Sequence, residues 1–171
     1  MKVYIPSRGT VAQNIIDAIA MQTIPTEIEI VPGNYDEIIP KRRRIAMAKT
    51  ECLFQALKTA DDFIVINDAD MLNLQDDNYE AMQEFLMDNP IFGAVSLVRS
   101  KVPDSDFDLK NPVRHICNSI IMIRREALRV IRFDLIPNAA TCFSVMQSLM
   151  KSKMKYGYVD REIRAKHEYK L

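Results

Sequence analysis

The chain has 171 residues, of which 48% are hydrophobic and 27% are charged. This composition excludes disordered, collagen-like and low-complexity chains, and the length predicts one domain with one sizeable core. Twenty-three basic residues balance twenty-three acidic ones, so the net charge indicates no polyanionic partner. Nucleic-acid binding would therefore require a local basic patch.

The sequence also limits where the protein is expected to work. No apolar run approaches the ~20 residues of a membrane span. Met1 is followed directly by a strand pattern, without the charged and apolar regions of a signal peptide. Three cysteines without zinc-type spacing indicate reduced thiols. We therefore expect a soluble cytoplasmic protein with no membrane partner.

Short apolar runs alternate with stretches of helical period along the chain. Strands are predicted at 3–5, 27–31, 63–66, 93–98, 116–123 and 156–159. Helices are predicted between them, around 11–19, 43–59, 79–86, 125–131 and 143–149, with a long polar loop over 99–111. Asp77 and Glu80 have the spacing of a capping box for the third helix.

The first half of this pattern alternates strand and helix. Such a chain predicts a single α/β domain with a mostly parallel central sheet flanked by helices. Ligands of these sheets bind at the carboxyl ends of the strands, where the strand order switches.

Two carboxylates follow the most apolar predicted strand. Asp68 and Asp70 come directly after 63–66, inside a segment from 59 to 98 that holds nine acidic residues and no basic one. Carboxylate and phosphate oxygens are the ligands that Mg²⁺ and Mn²⁺ prefer. The pair therefore predicts a divalent cation bound together with a phosphorylated ligand, although a simple polar turn has the same pattern.

A second polar turn ends the first predicted strand. Pro6, Ser7 and Arg8 stand there, and in a parallel sheet this turn would lie near Asp68. Ser7 and backbone N–H groups could bind a nucleotide and Arg8 a phosphate. A Walker loop and a dinucleotide-binding glycine motif are both missing from the sequence, which argues against P-loop ATPases and Rossmann dehydrogenases.

Two basic segments complete the candidate site. Residues 41–44 form a basic cluster before the second helix, from which Arg44 could point toward a nucleotide or simply be solvated. Residues 151–171 hold seven basic residues against three acidic ones. We expect 160–171 to be a mobile basic tail whose His167 completes a metal site if the tail folds over the carboxylates.

Taken together, these motifs resemble the GT-A fold glycosyltransferases of the family-two-like kind. The resemblance lies in the order of the segments 3–8, 20–31, 63–70, 117–128, 133–134 and 156–160, followed by His167. It implies a Rossmann-like GT-A domain over 1–171 that binds a nucleotide-sugar donor, most often a UDP-sugar, with Mn²⁺ or Mg²⁺. The segments at 5–9 and 31–35 also look like a phage subgroup that glycosylates modified bases in DNA, which implies DNA as acceptor and the host cytoplasm as location.

The resemblance also implies roles for individual residues. Asp68, Asp70 and His167 would hold the metal, and Asn118 would face the donor sugar. The nucleotide would contact Pro6, Ser7, Arg8, Arg44 and Asp68.

Three departures from the family pattern leave alternatives open. Pro32 and Gly33 stand where aspartates usually contact the base, no acidic pair precedes the last helix, and the chain is short. The general base is unassigned. Either an aspartate of the long loop (Asp104, Asp106 or Asp108) serves, or the mechanism is retaining. A nucleotidyltransferase and a non-catalytic protein that binds a nucleotide or nucleic acid are the rival functions.

Overall fold

The computed structural model describes residues 1–33, 35–73, 75–99, 119–134, 141–161 and 163–165. The strands in these ranges are β1 (Lys2–Ser7), β2 (Glu27–Pro32), β3 (Phe63–Asn67), β4 (Met71–Asn73), β5 (Phe92–Arg99), β6 (Ile120–Arg124), β7 (Lys155–Arg161) and β8 (Ile163–Ala165). The helices are α1 (Gln13–Ala20), α2 (Lys41–Ala56), α3 (Asn78–Asp88), α4 (Thr141–Lys151) and a 3₁₀ turn at Arg125–Ala127.

Six strands form the central sheet in the order β2-β1-β3-β6-β5-β7. The pairs β1–β2, β1–β3 and β5–β7 are parallel, whereas β6 runs antiparallel to both of its neighbours. The sheet is therefore mixed and mostly parallel, as the alternating pattern predicted. The chain leaves β1 toward β2 on one side and reaches β3 on the other, so the strand order switches at β1.

Alternate residues of the strands build two cores, one on each face of the sheet. On one face, Tyr4, Ile64 and Ile66 pack with residues of α2 and α4. On the other face, Val3 and Val65 pack with residues of α1 and α3. The result is a three-layer α/β/α domain, in which the strand ends remain available for a site.

Most predicted elements are present, with shifted ends. β1 continues through Pro6 and Ser7, and the short helix predicted at 125–131 is a 3₁₀ turn over its first residues. The predicted capping box is wrong. Asp77 precedes α3 but makes no side-chain cap, and Glu80 accepts a hydrogen bond from the Thr23 hydroxyl at 2.9 Å.

A second sheet of two strands was not predicted. β4 follows the Asp68–Asp70 turn and pairs antiparallel with β8, so that Met71 faces Ala165. β7 and β8 thus include part of the segment 160–171, whose mobility stays a prediction. None of the helices in the described ranges combines the length and apolar character that crossing a membrane requires.

Candidate functional site

A cavity of about 430 Å³ lies at the carboxyl ends of β1 and β3, where the strand order switches. Its lining comes from the ends of β1, β2 and β3, from the start of β6 and from one face of α2. The lining residues are Pro6, Ser7, Arg8, Gly33, Lys41, Arg44, Ile45, Ala48, Lys49, Asp68, Ala69, Asp70 and Ser119. The turn after β1 and the turn after β3 therefore meet, as predicted.

The floor of the cavity depends on the close approach of β1 and β2. The Gly33 N–H donates to the carbonyl oxygen of Ser7 at 2.6 Å. A Cβ atom at Gly33 would lie 3.3 Å from that oxygen and 3.4 Å from Cβ of Ala48. A side chain at this position would therefore push against both the strand and the helix, which explains a glycine here.

One face of α2 supplies most of the positive charge. Lys41, Arg44, Ile45, Ala48 and Lys49 line the cavity at the spacing of successive helical turns. The first turn of α2 carries cations, has no acidic residue and lacks a side-chain cap. Because the N-terminus of a helix is the positive end of its dipole, this arrangement is unfavourable until an anion binds there.

Asp68 is held by a buried lysine. Nζ of Lys49 lies 2.8 Å from Oδ1 and 3.1 Å from Oδ2 of Asp68. The Lys49 side chain is 1% exposed, whereas that of Asp68 is 24% exposed toward the cavity. Burial raises the pKa of the Asp68 carboxyl above its ordinary value, and the Lys49 ammonium opposes that rise.

Arg44 has polar atoms that the described residues leave unsatisfied. Its Nε and Nη1 atoms are buried and have no hydrogen-bond partner in the described part of the chain. Unpaired buried donors are rare in folded proteins because each one loses its hydration without compensation. Since Arg44 also lines the cavity, its guanidinium is suited to an anionic ligand.

The turn after β1 is ordered by its own contacts. The Ser7 hydroxyl donates to the carbonyl oxygen of Gly9 at 2.8 Å and accepts from the Gly9 N–H at 3.2 Å. Arg8 lies 3.4 Å from a carboxylate oxygen of Glu37, and both side chains are mostly exposed. An exposed pair of this kind contributes little stability, so Arg8 can exchange Glu37 for another anion at small cost.

The predicted site residues that fall within the described part of the chain are thus brought together. Pro6, Ser7, Arg8, Arg44, Asp68 and Asp70 line one cavity, although their roles in binding stay predictions. Asn118 and His167 lie outside the described residues. Within the described residues, no cluster of three or more His, Cys, Asp or Glu side chains has the arrangement of a metal site.

Two polar residues of the cavity, Lys49 and Ser119, have no role predicted from the sequence, and Lys41 was expected only as part of the basic cluster 41–44. The sequence pattern did not single out Lys49, although it stands five residues after Arg44 and four after Ile45 on α2. The recurrence of the cations Lys41, Arg44 and Lys49 along α2 is the sequence feature that could have indicated its role. Ser119 contacts Asp68 through both its backbone and its side chain: its carbonyl oxygen accepts a hydrogen bond from the Asp68 N–H at 2.7 Å, and its hydroxyl donates to the Asp68 carboxylate.

Solved structures with a similar fold are numerous. A197 from STIV superimposes with a TM-score of 0.60 and 16% identity, over 96% of this chain and 83% of that one. The mannosyltransferase from Pyrobaculum calidifontis, solved with GDP-Man and Mn²⁺, gives 0.66 and 20% identity, over 93% of this chain and 54% of that one. The chain therefore spans about half the length of that enzyme.

A third similar structure is glucosyl-3-phosphoglycerate synthase from Mycobacterium tuberculosis, in complex with Mn²⁺, UDP and phosphoglyceric acid. It gives a TM-score of 0.64 at 13% identity, over 98% of this chain and 70% of that one. No protein-family model matches the sequence, and no match was found among curated proteins. These similarities confirm the GT-A-like fold that the motif order implied.

Proposed function

We propose that the cavity binds a nucleoside-diphosphate sugar together with Mn²⁺ or Mg²⁺, and that the protein transfers the sugar to an acceptor. The observation that carries this proposal is the pairing of charges in one cavity. Asp68 and Asp70 stand after β3 and line the same cavity as Arg44, whose buried Nε and Nη1 atoms have no partner among the described residues. Carboxylates attract a cation and the guanidinium attracts phosphate, so a metal–diphosphate complex satisfies both.

The diphosphate is proposed to lie against the first turns of α2. Arg44 can donate two charge-assisted hydrogen bonds, and Lys41 and the helix N-terminus add favourable charge. Arg8 joins them on release from Glu37. The GDP-Man and UDP present in the two similar glycosyltransferase structures support a nucleotide ligand of this class, with a UDP-sugar as our preferred donor.

Asp70, Asp68 and His167 are proposed to hold the metal. Both aspartates line the cavity, and Lys49 orients the Asp68 carboxylate. β8 ends at Ala165, which pairs with Met71, the residue directly after Asp70. His167 follows two residues later in the sequence, and two residues span at most about 7 Å. The cation would supply Lewis-acid stabilisation of the leaving diphosphate.

The remaining roles rest on the sequence resemblance. Asn118 is proposed to contact the donor sugar, and it precedes the cavity-lining Ser119 in the chain. A modified base in DNA is the proposed acceptor. The carboxylates among the described lining residues are Asp68 and Asp70, both assigned to the metal and nucleotide. The general base is therefore sought among the loop aspartates 104, 106 and 108, unless transfer is retaining.

The first test measures UDP binding by calorimetry with Mn²⁺ present. The variant Arg44→Gln should bind UDP about tenfold or more weakly, because a charged hydrogen bond contributes about 1.5–3 kcal/mol. Arg43→Gln is the matched control, since Arg43 is exposed on the same helix and does not line the cavity. Equal binding by Arg44→Gln and wild type would contradict the proposed phosphate site.

The second test measures the reaction. Wild-type protein with Mn²⁺ and a panel of UDP- and GDP-sugars should release nucleoside diphosphate, and EDTA should abolish the release. Pyrophosphate released from a nucleoside triphosphate would instead indicate a nucleotidyltransferase. Binding without turnover of any donor would indicate the non-catalytic function.

The proposed third ligand has its own variant. His167→Ala should raise the Mn²⁺ concentration needed for half-maximal UDP binding by at least about tenfold, since the loss of a partner that only orients a metal ligand already costs about 10–100-fold in metal affinity. UDP binding measured with EDTA should stay unchanged. An unchanged Mn²⁺ requirement would remove His167 from the metal site.

A further inference from the structure

A buried network of neutral side chains lies beneath the turn that carries the two carboxylates. We call Asn67, Asn73, Asn78 and Tyr79 the amide network. Their exposed fractions lie between 0% and 6%. They come from the end of β3, from β4 and from the start of α3. The network therefore ties together the elements that enter and leave the turn over residues 68–71.

Asn67 makes the direct contact with the turn. Its Nδ2 donates to the carbonyl oxygen of Asp68 at 2.9 Å and to that of Met71 at 3.0 Å. The turn is closed by the Met71 N–H, which donates to the same Asp68 carbonyl at 3.0 Å. One amide group thus joins both ends of the turn from its buried side, while the aspartate side chains reach the cavity.

The orientation of Asn67 is fixed by its neighbours. Its Oδ1 accepts from Nδ2 of Asn73 at 3.4 Å and from the hydroxyl of Tyr79 at 3.3 Å. Asn73 also donates to the Tyr79 oxygen at 3.1 Å, and Asn78 donates to Oδ1 of Asn73 at 3.3 Å. The Tyr79 N–H in turn donates to Gln22 at 3.0 Å. The Asn67 amide is therefore restricted to the orientation that places its N–H groups on the turn.

From this geometry we propose that Asn67, Asn73 and Tyr79 are positioning residues, which hold the 68–71 turn so that Asp68 and Asp70 are preset to receive a divalent cation. The metal part of this inference rests on the proposed function. The network touches neither ligand nor reacting atoms, and it acts only through the turn backbone. Preset ligands bind a cation more tightly because less conformational freedom is lost on binding.

Two readouts test the proposal with Asn67→Ala, Tyr79→Phe and the control Ser148→Ala. Ser148 is buried on α4, donates to the carbonyl of Val145 at 2.8 Å and accepts from the Arg132 N–H at 3.1 Å. It belongs to the opposite face of the sheet, so its variant loses buried hydrogen bonds far from the turn. The first readout is hydrogen exchange of the Met71 amide in the ligand-free protein. The second is the Mn²⁺ concentration required for half-maximal UDP binding.

Asn67→Ala should accelerate exchange at Met71 by about tenfold, since opening of the turn no longer breaks the Asn67 bonds. Tyr79→Phe should accelerate it by a smaller factor, since it removes only a bond that orients Asn67. Ser148→Ala should leave exchange at Met71 unchanged after correction for global stability. The Mn²⁺ requirement should rise by about tenfold in Asn67→Ala, while UDP binding with EDTA is unchanged. If Asn67→Ala fails to fold, both measurements are made on Tyr79→Phe, which removes only a single oxygen atom.

The outcomes separate this proposal from the proposed function. If UDP binding by the wild-type protein does not depend on Mn²⁺, the metal assignment is wrong. Hydrogen exchange at Met71 would then still test whether the amide network stabilises the turn. Variants with a wild-type Mn²⁺ requirement would overturn the positioning role and leave the network a purely structural one. Unchanged exchange at Met71 in both variants would overturn the hold on the turn itself.

Discussion

The turn over residues 68–71 lies between two regions that differ in their buried polar groups, which are charged on one side and neutral on the other. On the side of α2, Lys49 pairs with Asp68 and Arg44 lines the same cavity, where two atoms of Arg44 lack a partner among the described residues. On the side of α3, the amide network is neutral, and Asn67, Asn73 and Tyr79 bond to one another and to the turn backbone. The neutral side is satisfied internally except at Oδ1 of Asn78, which has no partner among the described residues, whereas the charged side leaves two donors of a cation without partners there.

This difference assigns different tasks to the two sides. Neutral buried groups that satisfy one another stabilise the fold without any ligand. Cations gathered at the start of a helix repel one another and become favourable only when an anion arrives. Substitutions on the charged side should therefore change binding more than folding, and substitutions in the network should also change the local stability of the turn.

The largest expected effect is that of Asp70→Asn, at the tip of the turn between the two sides. Mn²⁺-dependent turnover of the donor should fall by about 10²–10³, as found when one electrostatic contact to a transition state is removed. The melting temperature of the metal-free protein should not fall, because the negative charge of Asp70 disfavours ionised Asp68 nearby. Turnover is measured by nucleoside diphosphate release and stability by thermal unfolding.

Glu84→Gln is the matched control for Asp70→Asn. Glu84 is exposed in α3, so the control also loses one carboxylate but away from the cavity. It should keep wild-type turnover. Asp70→Asn that is destabilised yet turns over donor at the wild-type rate would show that Asp70 only shapes the turn.

The next effect concerns the ion pair between Lys49 and Asp68, in which the ammonium is buried. Lys49→Met leaves the Asp68 carboxylate without its ammonium partner. Removal of one member of a buried ion pair costs about 3–5 kcal/mol, and the partial exposure of Asp68 should bring the loss toward the lower end. Denaturant unfolding measures the free energy. Lys49→Met should therefore lower the free energy of unfolding, whereas Arg44→Gln on the same helix should mainly weaken UDP binding.

A double variant distinguishes the charge from the packing of Lys49. Lys49→Met combined with Asp68→Asn carries no unpaired charge, so most of the lost stability should return. UDP binding with Mn²⁺ should nevertheless be weak, because Asp68→Asn removes the Asp68 carboxylate. If the double variant is as unstable as Lys49→Met alone, the contribution of Lys49 comes from shape and not from charge.

Sequence patterns predicted the layers of this fold because apolar periodicity is a local property. The strands β1, β2, β3 and β5 and the four α-helices follow runs that any neighbour of the right shape would bury. β4 and β8 were missed because each has three residues and is defined by pairing with the other. The capping box at Asp77 failed for the same reason, since Glu80 is engaged by Thr23 from a distant part of the chain.

The site was predictable where its residues follow strands, and less so elsewhere. Pro6, Ser7, Asp68 and Asp70 could be placed because the carboxyl ends of parallel strands share one edge of the sheet. Lys49 could not, since its burial depends on how α2 lies across β1 and β3. The amide network escaped notice because isolated asparagines carry no periodic signal. Asn118 and His167, which lie outside the described residues, stay predictions.

The smallest expected effect concerns Cys52, which lies at the boundary between the charged side and the apolar core. Cys52 lies on α2 about one turn after Lys49 and is fully buried, and burial raises the pKa of its thiol to about 12. At pH 9 roughly one thousandth of this thiol would be ionised in the folded protein, against a large fraction in the unfolded chain. Because the folded pKa is the higher one, the folded state gains stability from Cys52 that is lost as the pH rises from about 9 toward 12.

Iodoacetamide at pH 9 should therefore label the half-buried Cys142 readily and Cys52 only through unfolding, as read by peptide mass spectrometry. Mn²⁺ with UDP should slow Cys52 labelling further, since a ligand that binds only the folded state suppresses unfolding. Equal labelling of Cys52 and Cys142 in the folded protein would mean that the core under Lys49 opens locally, and the boundary between the two regions would then lie deeper along α2.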